Sequence, residues 1–459
     1  MSRRANRTLT VLVLLGSLCG SASAAVSGMS NTEILWAWLG AYNQGGPAAL
    51  GNFQRDYLGN TDIGYAVDTR EETGGFELVK VEADEPLKLA ALLRERNSPS
   101  LWRVILLRKD AQAPLLQRIA YAPLPMAQSE ALAALDKLAT RLASADKFSG
   151  VILVARHDHD LYARAWGLAD RSTKAKITRD TPFLVASQGK MFTAVAVLQL
   201  VATGKVRLDE PIGSYLTDYP NREVARKVTV RHLLAHQGGT GEMGLLEPHD
   251  AGNRASVHSI ADIVALNGAR GPAFEPGSKT EYSNYGYVLL GAIIEKVSGQ
   301  SYYAYLKEHV FQPAAMLRTD FPLRGQMQGV ASGYTQADDG TLHATTAQLP
   351  WRGTPAGGGV STAADMRRFV GALKAGKLVP KALLAEATQN QGRGFGYGFI
   401  SSQVDGFPYW GHGGGAPGNS LVLDYYPLTD TTFICMSNRD PPVCDRLAFD
   451  YLFRSPRQH

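Results

Sequence analysis

Cysteine is scarce in this chain, three in 459 residues, and none belongs to a CxxC or Cys/His ligand pattern. That sets aside zinc-ribbon and dithiol chemistry. Basic residues outnumber acidic ones by only five, 47 to 42. Arg3, Arg4 and Arg7 supply three of those five charges, so the body of the chain lacks the footprint of a nucleic-acid binder. After residue 24 no apolar run approaches the roughly 20 residues that span a bilayer, and no stable membrane insertion is expected. Gly-x-Ser-x-Gly is missing, which excludes the nucleophile elbow of the α/β-hydrolases. His-Glu-x-x-His, the phosphate-binding loop and a helix-opening Gly-x-Gly-x-x-Gly are missing too. What is present is ordinary globular material, 45% apolar and 19% charged, with length for two or three domains.

The first 24 residues stand apart. Arg3, Arg4 and Arg7 precede an almost wholly apolar run, Leu9–Leu18, and Ala22-Ser23-Ala24 offers small residues for cleavage. The order reads as a secretory signal removed after Ala24, giving a secreted or periplasmic protein. Lipid attachment at Cys19 is a weaker alternative, because Leu18 occupies the place of the usual small residue; an uncleaved anchor is another. Cys435 and Cys444 then remain, on either side of the turn-forming Asn438-Arg439-Asp440-Pro441-Pro442. An exported compartment permits a disulfide here, worth about 2.5 kcal/mol by loop entropy. Two separate thiols fit the spacing equally well.

Residues 25–125 read as a small α+β domain. Helical periodicity covers Asn31–Tyr42, with Thr32 or Asn31 as cap, and Ala48–Tyr57. Strand patterns follow at Phe76–Val81, Leu87–Leu93, Leu101–Leu107 and Leu116–Tyr121. No catalytic constellation lies there, and Pro123 and Pro125 mark a linker. In 126–459 a helix, Ala131–Ala143, leads into strands Val151–Ala155 and Tyr162–Leu168 around the polar turn 157–160. A mostly helical stretch runs from Thr181 to about Asn390. Strands return at Gly396–Ser401, Ser420–Tyr425 and Thr431–Met436, and a helix closes at Asp445–Phe453. The expected fold is α/β (α+β): one antiparallel sheet built from both ends of this segment, flanked by helices, with a helical insertion.

Chemistry concentrates in three places. Ser187-Gln188-Gly189-Lys190 follows the apolar Phe183–Ala186 and opens a helix carrying Met191, Phe192, Val195, Leu198 and Val201. Ser187 and Lys190 share a side of its first turn, so an unprotonated lysine can take the serine proton. The other Ser-x-x-Lys, Ser144–Lys147, matches the one pair expected by chance from 27 serines and 16 lysines. Second, Tyr282-Ser283-Asn284 stands at the mouth of another helix. A tyrosine beside an ammonium has its phenolate favoured and can act as a base; Asn284 offers an amide. Third, Trp410-Gly411-His412-Gly413-Gly414-Gly415 reads as a glycine-rich loop between strands, whose N–H groups could pair with that of Ser187 as an oxyanion hole. Each segment alone has a plainer reading, as a capping turn or a hairpin loop. His232 and His236, four apart on one helix, read as structural histidines, and the turn with His157 and His159 as solvated. No metal and no cofactor is expected.

Together the three segments resemble the serine β-lactamase and penicillin-binding-protein superfamily, nearest its branch of class C β-lactamases, D-amino-acid peptidases and related esterases. The resemblance covers about 148 to 455. It extends to Val228–His236 and Gly359–Asp365, where Thr362 and Asp365 look like a capping box. It implies Ser187 as nucleophile, Lys190 as its activating partner, Tyr282 as general base and Asn284 as a contact to substrate and lysine. His412 would stand where many lactamases carry the lysine of Lys-Thr-Gly, with Gly414 beside it and Gly415 giving an oxyanion N–H. The chain departs from the lactamase pattern at His412-Gly413, where the fixed charge and the hydroxyl are both lost. The expectation is therefore an exported serine hydrolase acting on esters, small amides or peptides through an acyl-enzyme. A β-lactamase or DD-carboxypeptidase is the alternative, and a penicillin- or peptide-binding protein without turnover is another. The sequence leaves the oligomeric state open.

Overall fold

The computed structural model describes residues 28–110, 113, 115–404 and 406–456; the expected signal segment, with Cys19, lies outside them. The described residues form two compact units, one of 28–138 together with 449–456 and one of 139–448. No helix among them is long and apolar enough to cross a membrane.

The smaller unit begins with α1 (Asn31–Gln44), α2 (Gly46–Phe53) and α3 (Gly64–Thr73). A meander follows: β1 (Phe76–Glu85), β2 (Lys88–Glu95), β3 (Leu101–Arg108) and β4 (Leu116–Pro123), each antiparallel to the next. Neither Asn31 nor Thr32 caps α1. Ser30 does, accepting from Glu33 N at 3.2 Å while the Glu33 carboxylate takes Ser30 N at 2.7 Å. Asn31 turns inward instead, donating to Glu85 O and accepting from Arg108 Nε. A run of aromatics fills the core, with Tyr42, Phe76 and Trp102 in successive contact at 5.0 and 5.2 Å between centroids.

Residues 449–456 add a buried ion pair to this unit. They include the end of α9 (Val443–Arg454). Arg454 lies 2.7 Å from Glu95 Oε1 and 2.9 Å from Asp450, and Trp102 Nε1 donates to the same Glu95 oxygen at 2.6 Å.

Helix α4 (Gln128–Ser144), of which only the last residues belong to the larger unit, leads into that unit's six-stranded antiparallel sheet. Its strands are β5 (Gly150–Arg156) and β6 (His159–Trp166) near the start, then β9 (Ile400–Val404), β10 (Phe407–Ala416), β11 (Asn419–Tyr426) and β12 (Thr431–Ser437), in spatial order 9-10-11-12-5-6. Two-residue strands β7 (Phe183–Leu184) and β8 (Val360–Ser361) pair apart from it. The helical stretch between them includes α5 (Gly189–Ala202), α6 (Val230–Leu234), α7 (Asn284–Ser298) and α8 (Ala363–Lys374). Cys435 on β12 and Cys444 in α9 form a disulfide.

Several sequence expectations shift. The turn between β5 and β6 is only His157-Asp158, both with positive φ as a tight two-residue hairpin requires; His159 and Asp160 belong to β6. The strand expected at Gly396–Ser401 starts at Ile400, after Gly398 breaks the extension with φ +78°. Trp410–Gly415 is the interior of β10, not a loop. Main-chain pairing with β11, from Trp410↔Tyr425 to Ala416↔Asn419, overrides the poor strand propensity of glycine. Helix α5 is apolar nearly all round because it is buried on all sides, and so has no single stripe. Thr362 caps α8 through Asp365 N, but the Asp365 carboxylate goes to Arg318 N and Thr319 Oγ1, leaving half of the expected box.

Candidate active site

Ser187 sits on a single 3₁₀ turn, Ala186–Gln188, which runs directly into α5. The residue before it, Ala186, has φ +43°. A non-glycine residue in the left-handed region costs on the order of 1–3 kcal/mol and persists only where its surroundings impose it. Here they do. Gly358 N donates to Ala186 O at 3.1 Å and Val185 N to Gly359 O at 2.8 Å. Gly357 lies so close that a Cβ on it would stand 2.0 Å from Ala186 O. The glycine run 357–359 therefore clamps the serine turn from one side.

Lys190, fully buried one turn along, donates to three acceptors. They are Ala356 O at 2.6 Å, Asn284 Oδ1 at 2.7 Å and Ser187 Oγ at 3.4 Å. Its Nζ also lies 4.7 Å from the centre of the Tyr282 ring and 5.5 Å from that of Tyr287. Tyr282 Oη is 2.8 Å from Ser187 Oγ. Asn284 is the first residue of α7, which Ser283 caps by accepting from Gly286 N. With Oδ1 on the lysine, its Nδ2 donates to Glu242 Oε2 at 2.6 Å, which fixes the way the amide faces. Ser187, Lys190, Tyr282 and Asn284 thus converge in space, Tyr282 and Asn284 from about 95 residues away in sequence.

Strand β10 borders the same turn. His412 O accepts from the buried Gln188 Nε2 at 3.1 Å. A Cβ on Gly414 would lie 3.0 Å from Val185 O and 3.1 Å from Ala186 Cβ, so a bare backbone is what lets the strand approach. The His412 side chain is buried, with Nδ1 donating to Gly413 O at 2.5 Å. Gly415 pairs with Ser420. Strand β9 ends its pairing opposite Gly411, so residues 412–416 have a sheet neighbour only in β11. The second Ser-x-x-Lys is elsewhere: Ser144 and Lys147 are exposed at the end of α4.

Sequence reasoning missed Gln188, Glu242 and above all His236. The two histidines read as one helical pair separate. His232 lies in α6, where it and Thr229 bond each other's N–H groups. His236 falls beyond the helix with φ +58°, its ring stacked on Tyr282 at 4.5 Å and its Nδ1 accepting from Ser283 N at 3.1 Å. Burial, reinforced by the Lys190 and His412 charges, pushes its pKa well below the ordinary histidine range, so the ring is neutral. Its place in Val228–His236 was the signal available in the sequence. Among the described residues no three His, Cys, Asp or Glu side chains gather as metal ligands would.

Residues 135–454 match the sequence model of the Beta-lactamase family. Penicillin-binding protein 4* of Bacillus subtilis is 30% identical over 327 residues, 67% of this chain and 71% of that protein. Esterase EstB of Burkholderia gladioli is 30% identical over 299 residues, 56% of this chain and 75% of its own. Among solved structures, D-amino acid amidase from Ochrobactrum anthropi SV3, complexed with L-phenylalanine amide, superposes with a TM-score of 0.61 at 25% identity. That likeness covers 70% of this chain and 97% of the amidase. The chain belongs to the β-lactamase family and is a serine hydrolase of that family.

Proposed function

We propose that the protein is an exported hydrolase of esters, small amides or peptides that works through an acyl-enzyme on Ser187. The observation that carries the chemistry is the 2.8 Å approach of Tyr282 Oη to Ser187 Oγ beside the buried Lys190. Lys190 donates to three acceptors, as an ammonium does. Its positive charge favours a phenolate on Tyr282, which takes the serine proton as Oγ attacks the substrate carbonyl carbon. The N–H groups of Ser187 and Gly415 receive the oxyanion. Collapse breaks the bond to the leaving alcohol or amine, which takes the proton from Tyr282. Water, activated by the same oxygen, then releases the acid. Asn284, His412 and Gly414 line the substrate's path. An exported compartment agrees with the order of residues 1–24 and with the Cys435–Cys444 disulfide.

The absence of Lys and Thr at His412-Gly413 argues against a β-lactam as natural substrate. Losing one charge-assisted and one neutral hydrogen bond to its carboxylate costs about 2–4 kcal/mol, roughly 30- to 1,000-fold in transition-state binding. The expected result is kcat/KM for nitrophenyl butyrate well above that for nitrocefin, a gap that His412→Lys with Gly413→Thr narrows. A preference for nitrocefin would establish the lactamase alternative. Fluorophosphonate labelling without turnover of either substrate would establish a binding protein.

A further inference from the structure

Tyr282 stands on an irregular segment, 277–283, yet its hydroxyl must keep a fixed distance to Ser187. The segment is held by His236 and Gln237, beyond the Ala235 cap of α6. Gly277 N donates to Gln237 O at 2.9 Å. Closer to the tyrosine, a single residue takes both flanking N–H groups: Glu281 N donates to His236 O at 2.8 Å and Ser283 N donates to His236 Nδ1 at 3.1 Å. The same imidazole lies nearly flat on the Tyr282 ring, centroids 4.5 Å apart and planes at 28°. Phe395 and Tyr287 hold the imidazole in turn, at 4.9 and 5.1 Å.

This arrangement asks three things of residue 236. It must adopt φ +58°, which histidine and asparagine tolerate better than branched residues. It must offer an acceptor at the δ position and a flat face beside it. It must also do so uncharged, since a second buried cation next to Lys190 would compete for the same aromatic faces. The bond from Ser283 N leaves the proton of the neutral ring on Nε2. A histidine that served only to fill the core would have no reason to give its one buried acceptor to the residue adjoining the tyrosine.

We propose that His236 is a positioning residue: it holds Tyr282 in register with Ser187 and does not itself touch the substrate. The inference rests on the reading of Tyr282 as proton carrier, and a double-mutant cycle separates the two. His236→Phe keeps a flat ring but removes the acceptor. It should lower kcat for nitrophenyl butyrate about 10- to 100-fold, the scale of a misplaced catalytic group, with KM changed less than about threefold. His236→Asn, which restores an acceptor near the δ position, should recover most of that loss. In a Tyr282→Phe background, adding His236→Phe should change kcat less than about twofold. If the phenylalanine variant does not accumulate folded, His236→Ala replaces it in the cycle. Equal losses in both backgrounds, or a loss expressed in KM, overturn the inference alone. An unimpaired Tyr282→Phe enzyme overturns the reading of the site and the inference with it.

Discussion

In the smaller unit one buried cation is Arg454, and its partners are the carboxylates of Glu95 and Asp450 at 2.7 and 2.9 Å. In the larger unit Lys190 is another, and at hydrogen-bond distance from it stand a carbonyl, an amide and a hydroxyl. Both arrangements hold a cation away from water, Arg454 with its Nη1 left without a partner, but their electrostatic results differ. Glu95 and Asp450 cancel the guanidinium's field within a few ångströms, leaving a structural clasp. The neutral acceptors around Lys190 let its charge act on the aromatic ring and the two hydroxyls beside it. Between these two cations, which are alike in burial, it is the chemistry of the partners that differs.

That contrast can be broken at either end. The largest effect should come from Ser187→Ala, which removes the nucleophile: hydrolysis and fluorophosphonate labelling fall by roughly 10⁴-fold or more, with unfolding unchanged. Ser144→Ala should alter neither, and loss of labelling there would reassign the nucleophile. Tyr282→Phe should lower kcat by roughly 10²–10⁴ with KM nearly constant, as for a positioned acid–base group. On the other side, Arg454→Met leaves Glu95 buried without its cation, which should cost about 3–5 kcal/mol in urea unfolding, while kcat for the nitrophenyl ester stays close to the parent value. A variant that loses activity and keeps stability would invert the comparison.

The smallest effect concerns pH. The His236 pKa is depressed in the folded protein. Above the unfolded value of about 6.5 the ring is neutral in both states, and stability is whole. As pH falls below it, the unfolded chain takes up a proton that the folded chain refuses. Stability then declines by at most about 1.4 kcal/mol per pH unit, down toward the folded value. Thermal unfolding from pH 7 to 5 should fall less steeply for His236→Asn than for the parent.

The meander of the smaller unit was legible through its strand patterns, clearest in Leu101–Arg108, where every second residue is buried. Helix α3 was not, since Gly64–Thr73 is largely polar and buries only Ala66, Thr69 and Thr73. Ser187 and Lys190 were legible through local context, a compact apolar run before them and a helix after. Gln188 was not, because its partner, the carbonyl of His412, lies 224 residues away. The placement of His236 on a helix was misread for a related reason. Its four-residue spacing from His232 suggested one helical face, but a left-handed residue ends the helix run and aims the second ring elsewhere. Periodicity reports the neighbours a residue has along its own element; it carries no information on what a chain reversal brings together.

The clasp between Glu95 and Arg454 also bears on the order of synthesis. Its two halves are 359 residues apart, so the ribosome delivers the acid long before the base. Until α9 has been made, the aromatic core around Trp102 can collapse only with Glu95 either kept in water or buried unpaired, at a cost of about 3–5 kcal/mol. The part of the chain that emerges early is thus obliged to mature late. A polypeptide built this way completes the packing of its leading end only after its last helix has been made.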